Sequence, residues 1–165
     1  MKLRKLVTCA MLIALCFVGS NIKVFGTIAF DSMPAFLGAL ILGPWYGAVL
    51  GAAGHFLTAL TSGFPLSLPV HIVLMFGMAL TMIFFNITQK GLEKKINVWA
   101  ARIIGILVAL IFNVYISCLM VTPLTGFAVF AFAPELLIIS LANVVIAEVV
   151  YVFLPKQIKE RFLSK

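Results

Sequence analysis

From Phe30 to Leu60 the chain reads FDSMPAFLGALILGPWYGAVLGAAGHFLTAL, an apolar run interrupted at its centre by Gly43-Pro44-Trp45-Tyr46-Gly47. That interruption constrains the fold more than any other feature. Pro44 has no amide hydrogen and a fixed φ, so it disrupts a single continuous helix but opens a new one well, and the flanking glycines let the backbone reverse. The stretch is expected to form two short apolar helices folded as a hairpin inside a membrane. Gly43, Gly47 and Gly51 recur every four residues, which clears one helical face for a close neighbouring backbone. Asp31, at the outer end of the first arm, and His55, within the second, are ionisable groups in an apolar setting. Each is costly there and so becomes a candidate site residue.

The remainder is equally apolar. With 64% hydrophobic residues, 10% charged residues and a mean hydropathy of +1.21, the 165-residue chain falls outside the range of soluble domains. An all-α integral membrane protein of the cell membrane, crossing it several times, is the class that fits. The length suits one domain, residues 1–165, of about five to seven spans at roughly 20 residues each. No room is left for a soluble catalytic module. The net charge of +7 does not point to nucleic acid, because the basic residues are segregated. Lys2, Arg4 and Lys5 precede the first apolar run; Lys90, Lys94, Lys95 and Arg102 surround one loop; Lys156, Lys159, Arg161 and Lys165 form the tail. A cytoplasmic position for all three clusters accounts for 11 of the 12 basic residues, Lys23 being the exception. Contact with anionic lipid follows from that topology.

Six spans satisfy this charge distribution with both termini in the cytoplasm. The first runs over about Leu6 to Gly19, followed by an outer segment, Ser20 to Lys23. The hairpin supplies the second and third, with GPWYG turning at the cytoplasmic face. An outer loop from Thr61 to Pro69, a fourth span from about Val70 to Ile87 and an inner loop from Gln89 to Lys95 come next. The fifth span covers about Ala100 to Met120, a Phe-rich outer loop broken by Pro123, Gly126 and Pro134 runs from Val121 to Pro134, and the sixth span reaches Leu154. Reading Pro34 to Leu60 as one kinked helix gives five spans and places a basic cluster on the wrong side. The six-span reading has a cost, since the first hairpin arm has about a dozen apolar residues where roughly 20 cross a bilayer. Tilt, thinning or burial against neighbouring helices must compensate. The N-terminus also has the form of a secretory signal, with Val18-Gly19-Ser20 as a possible cleavage site. The small pair Ala10 and Ala14, suited to helix contact, argues that the first helix is retained.

Several polar residues are candidates for a site. Asp31 and Glu135 each stand at the outer start of a helix, where a carboxylate either complements the helix N-terminus or rims an outward-facing pocket. Asn113 and Asn143 lie near the middle of the last two spans, where an amide bonds either another helix or the polar edge of a ligand. His71 follows Pro69 at an outer helix start, within reach of a substrate. His55 and His71 lack the i, i+4 spacing of a helical metal pair. Cys9, Cys16 and Cys118 have no partner spacing and read as small buried hydrophobes, so neither a metal nor a disulfide framework is implied. Glu148, about two turns from the inner end of its helix, is expected to meet water or a basic residue in a structural or coupling role. Phe127, Phe130 and Phe132 are placed to make an apolar lid. The substrate-binding set is therefore Asp31, His71, Asn113, Glu135 and Asn143.

The chain contains no GxxxxGK[ST], HExxH or GxSxG segment, so it offers no phosphate cradle, metal-hydrolase helix or nucleophile elbow. No catalytic residue and no cofactor are expected. Uphill transport would need energy from a partner or an ion gradient.

Together, Ala10-xxx-Ala14, the LGALILGPWYGAVLGAAGHFLTAL hairpin and the basic inner loops resemble the substrate-binding S component of an energy-coupling factor (ECF) vitamin transporter, over essentially the whole chain. The resemblance implies a binding subunit, not an enzyme, that captures a vitamin in a pocket roofed by outer loops. It implies as partners a transmembrane coupling subunit and two cytoplasmic ATPases, and toppling within the membrane on docking, with Ala10 and Ala14 as the docking surface. Within the family the chain is most similar to members assigned to cobalamin precursors, α-ribazole or its dimethylbenzimidazole base. Lys2 stands where nickel and cobalt members carry a histidine after Met1, which argues against a metal substrate. The competing class is a self-sufficient ion-coupled carrier, which usually shows an internal repeat; none is evident here.

Overall fold

The computed structural model describes residues 2–24 and 28–163. Helix α1 (Lys2–Ser20) is followed by a two-residue antiparallel pair, β1 (Lys23–Val24) with β2 (Ile28–Ala29), and everything else described is helical or turn. The hairpin forms as expected. Helix α2 (Met33–Leu42) ends and α3 (Pro44–Thr61) begins on either side of Gly43, whose φ of 101° favours glycine. Then come α4 (Leu68–Leu92), α5 (Val98–Leu110), a π-helical segment (Ile111–Ile116), α6 (Ser117–Thr125), a 3-10 turn (Phe127–Phe132), α7 (Ala133–Phe153) and α8 (Lys156–Leu163). Proline opens α2, α3, α4 and α7, at positions where its missing N–H breaks no helical bond. Asn97 opens α5 instead, its side-chain oxygen accepting from Trp99 N at 2.8 Å.

The short first arm is the hub of the molecule. Pro34, Ala35, Phe36 and every residue from Gly38 to Leu42 are buried, and α2 touches α1, α3, α4 and α7. Its ten residues need not meet lipid along their length, so enclosure compensates for the shortness. Phe36 meets Phe85 of α4 edge to face at 5.2 Å between ring centres. Close backbone approach holds the hairpin: a methyl on Gly47 would stand 2.6 Å from Ala39 Cβ, and one on Gly51 2.9 Å from Met82 Cγ. In lipid such packing replaces the water-driven effect that holds soluble helices together. Gly43 has no atom near its missing side chain, so its contribution is the turn and not the expected cleared face.

By length and composition, four helical segments among the described residues can cross a membrane: Leu3–Ser20, Leu68–Leu92, Val98–Thr125 and Phe127–Phe153. Two loops are shorter than expected. Helix α4 continues through Gln89, Lys90 and Gly91 to Leu92, and α6 continues through Pro123 to Thr125. At Pro123 an apolar environment offers the backbone no partner but itself, so the chain stays helical across punctuation that would end a helix in water. Gly126, at φ 71°, makes the break, and the phenylalanines after it form the 3-10 turn where an irregular loop was expected.

One end of the bundle gathers charge. Lys90 Nζ donates to Glu93 Oε2 (2.9 Å) and Tyr151 Oη (3.0 Å). Lys159 of α8 donates to Val152 O (3.1 Å) and lies over the Tyr151 ring. Arg102 Nε stands 3.6 Å from Glu148 Oε2, with both side chains largely buried. Glu148 thus meets a basic residue as expected. Trp45 and Trp99, 72% and 60% exposed, flank the same end, where amphipathic rings favour a membrane boundary.

Candidate functional site

At the opposite end the helices part around a cavity of about 260 Å³. Its wall combines the segment before α2, the last turns of α3, the loop after it, the start of α4, the π-helical segment with α6, and the start of α7. Met78, Leu74, Val121, Val129, Leu136 and Ile139 supply an apolar surface, and the polar groups are concentrated on a few residues.

Asp31 is held from two sides. Its carboxylate accepts from the Thr58 hydroxyl of α3 at 2.5 Å, and Ser32 beside it adds further hydrogen bonds. Burial pushes this carboxyl above the usual carboxylate range, while the Thr58 bond opposes that shift. Asn143, fully buried, is saturated by backbone. Its Oδ1 accepts from Met33 N (2.8 Å), and its Nδ2 donates to Ile139 O (2.9 Å) and Ala29 O (3.4 Å). It ties α7 to the first residue of α2, and the amide has no donor to spare. Asn113 differs, for Nδ2 donates to Ser140 Oγ at 2.5 Å and the carbonyl oxygen is not used in that bond. It sits in the π-helical segment, whose wider turn is also marked by the Ser117 hydroxyl donating to Phe112 O, five residues back, at 3.0 Å.

The two histidines, 16 residues apart in sequence, meet: His55 Nε2 lies 3.1 Å from His71 Nδ1, and His71 Nε2 lies 2.6 Å from Pro65 O. Their spacing gave no hint of contact; the tertiary fold of α3 against α4 makes it. Among the described residues no group of three or more metal-ligating side chains assembles.

Of the five candidates, Asp31, His71, Asn113 and Asn143 line the cavity, and Glu135 does not. Glu135 lies in the first turn of α7, with Oε2 buried and lacking a hydrogen-bond partner. His55, Thr58, Ser62, Ser117 and Ser140 line the wall as well. Thr58 follows His55 by one helical turn, a pattern visible in the sequence, whereas the serines carried no signal among so many small residues. Of the three phenylalanines expected to form a lid, Phe132 alone reaches the cavity; Phe127 and Phe130 stack on each other outside it, 6.3 Å between ring centres.

A family model described as "ECF transporter, substrate-specific component" matches residues 4–163. The chain belongs to this family. Among solved structures, the S component of a bacterial ECF transporter matches with a TM-score of 0.67 and 21% identity, over 100% of both chains. At that identity the match establishes the shared S-component fold. No curated protein matches the sequence. In this S component Ala10 and Ala14 are exposed on α1, in a stripe with Leu3, Leu6, Val7, Met11 and Val18, each more than half exposed. The side of α1 carrying Cys9, Leu12 and Cys16 packs into the core.

Proposed function

We propose that this S component captures a neutral or weakly basic aromatic vitamin precursor, with α-ribazole or its dimethylbenzimidazole base as the best match. The reading includes six membrane passes, both termini in the cytoplasm and the cavity open to the outside. It also includes delivery, through the exposed Ala10 and Ala14 stripe, to a transmembrane coupling subunit energised by two cytoplasmic ATPases.

One observation carries the choice of substrate class. Among the described residues lining the cavity there is a carboxylate, Asp31, but no lysine or arginine. An anionic vitamin would bring a charge into an apolar enclosure without a cation to pair it, at a cost of several kcal/mol. A flat heterocycle with N–H or O–H donors meets Asp31 and the carbonyl of Asn113, and its ring faces the aliphatic wall. Asp31 and Asn113 are the contact residues on this reading, His71 and Asn143 position the wall, and Glu135 stands at the rim.

Mass spectrometry of ligand retained through purification, followed by titration of the emptied protein with α-ribazole, dimethylbenzimidazole and an anionic vitamin, tests the proposal. Tight binding of either benzimidazole compound and none of the anion is expected. Selective retention of an anion would overturn the substrate class, and ligand uptake by the protein alone would favour a self-sufficient carrier.

A further inference from the structure

The segment 62–67 between α3 and α4 has an unusual backbone. Gly63 is at φ 74°, but Phe64 at 53° and Leu66 at 72° are also in the left-handed region, where a side chain is strained. Such strain persists only where surrounding contacts impose it. Here the contacts are few and identifiable. Phe64 N donates to Ala59 O at 2.8 Å, the Phe64 ring packs on Phe56 and His71 with centres 6.0 and 5.9 Å apart, and Pro65 O is taken by His71 Nε2 at 2.6 Å. The segment is also wall: Ser62, Pro65 and Leu66 line the cavity, and Leu66 is at the same time 59% exposed. It therefore separates the cavity from the surroundings by the thickness of one chain.

The proton positions in the histidine pair follow from Pro65. A carbonyl only accepts, so His71 Nε2 carries hydrogen; in a neutral ring His71 Nδ1 is then the acceptor, and His55 Nε2 must donate to it. A directed chain runs from His55 through His71 to the strained segment. Its effect reaches the ligand space, because Pro65, whose carbonyl His71 holds, and Leu66 beside it line the cavity.

We propose that the His55–His71 pair is a latch that holds residues 62–67, the loop covering the cavity, in its closed conformation. The assignment of the cavity as the substrate site rests on the function proposed above; the latch does not require any particular substrate. With the latch closed, the strained backbone is held down. Without the His71 donor, Phe64 and Leu66 relax and the lid opens.

Hydrogen–deuterium exchange of the ligand-free protein in nanodiscs reads the latch directly. His71→Phe keeps the ring that packs on Phe64 and removes both nitrogens; it should speed exchange of the 62–67 amides by roughly five- to tenfold, the effect of losing one ordinary hydrogen bond, with α1 and α7 unchanged. His71→Gln retains an N–H able to reach Pro65 O and should stay near wild type. His55→Leu, which removes the donor that orients His71, should give an intermediate increase and provides the test if His71→Phe does not fold. Unchanged lid exchange in folded His71→Phe or His55→Leu overturns the latch, as does an equal rise throughout the molecule. With α-ribazole as probe, His71→Phe should raise on- and off-rates together. If α-ribazole does not bind the wild type, the substrate reading fails while the exchange result still decides the latch.

Discussion

Replacing the buried pair Glu148 and Arg102 by apolar residues, singly and together, tests what holds the charged end of the bundle. The separation of 3.6 Å, with side chains 7% and 14% exposed, corresponds to a Coulomb attraction of about 5 kcal/mol at an effective dielectric constant near 20. Neither Glu148 oxygen and not Arg102 Nε has hydrogen-bond geometry with the protein, so the several kcal/mol of desolvation per ion is not fully recovered. The pair is then close to neutral overall, while either charge alone is stranded. Glu148→Leu and Arg102→Met should each destabilise by about 3 kcal/mol. The double variant should lie within about 1 kcal/mol of wild type, leaving a coupling of about 5–7 kcal/mol, close to the Coulomb figure. Arg102 also stacks over Trp99, 4.9 Å from its ring centre, which adds up to about 1 kcal/mol to the loss in Arg102→Met. Reversible unfolding in mixed micelles measures all four proteins. A double variant as damaged as the sum of the singles would refute the reasoning.

At the cavity, Asn113→Leu should weaken ligand binding by about 1–3 kcal/mol through an unpaired ligand group, with a stability loss of about 1 kcal/mol from the Ser140 hydroxyl it leaves unpaired. Asn143→Leu should cost stability, since Met33 N and two backbone carbonyls lose their partner; titration and thermal unfolding distinguish the two, and the reverse pattern would exchange their roles. Ala14→Trp, on the exposed stripe of α1, should fold and bind ligand normally yet fail to co-purify with the coupling subunit, and normal uptake would dismiss that surface. A cysteine at Gly91 should be labelled only from the cytoplasm and one at Ser62 only from outside; labelling of Gly91 from outside would sink the six-span arrangement.

The hairpin was legible because Pro44 and its glycines act locally, through φ and a missing N–H, and no tertiary contact was needed to place the break. The burial of α2 on all sides was legible only as a deficit: too few apolar residues to span, hence a need for enclosure. Asp31 and His71 stood out because ionisable side chains are scarce in this chain, and their convergence on one cavity follows from antiparallel packing that brings every second loop to the same end. The meeting of His55 with His71 was not legible, since no periodicity links residues on different helices. Nor was the saturation of Asn143 by backbone, which depends on where α2 begins relative to α7. The loop limit at Pro123 was misplaced because turn preferences describe chains in water, and a helix in an apolar medium continues past them; at Lys90 the last turn of α4 is held by the Lys90–Glu93 and Lys90–Tyr151 contacts, which no local pattern announces.

The π-helical segment Ile111–Ile116 amounts to one residue inserted into an otherwise continuous helix from Val98 to Thr125. Each residue of an α-helix turns the chain by about 100°, so removing the inserted one would leave α5 seated on Glu148 while rotating Ser117, Cys118 and Val121 away from the cavity. The two ends of the helix are thereby decoupled. The charged end keeps a fixed register against its neighbours, and the ligand wall is set by a local insertion that can be gained or lost as a unit. Gain or loss of that one residue would exchange one ligand surface for another and repack α6 against α4, while the charged end stays in place.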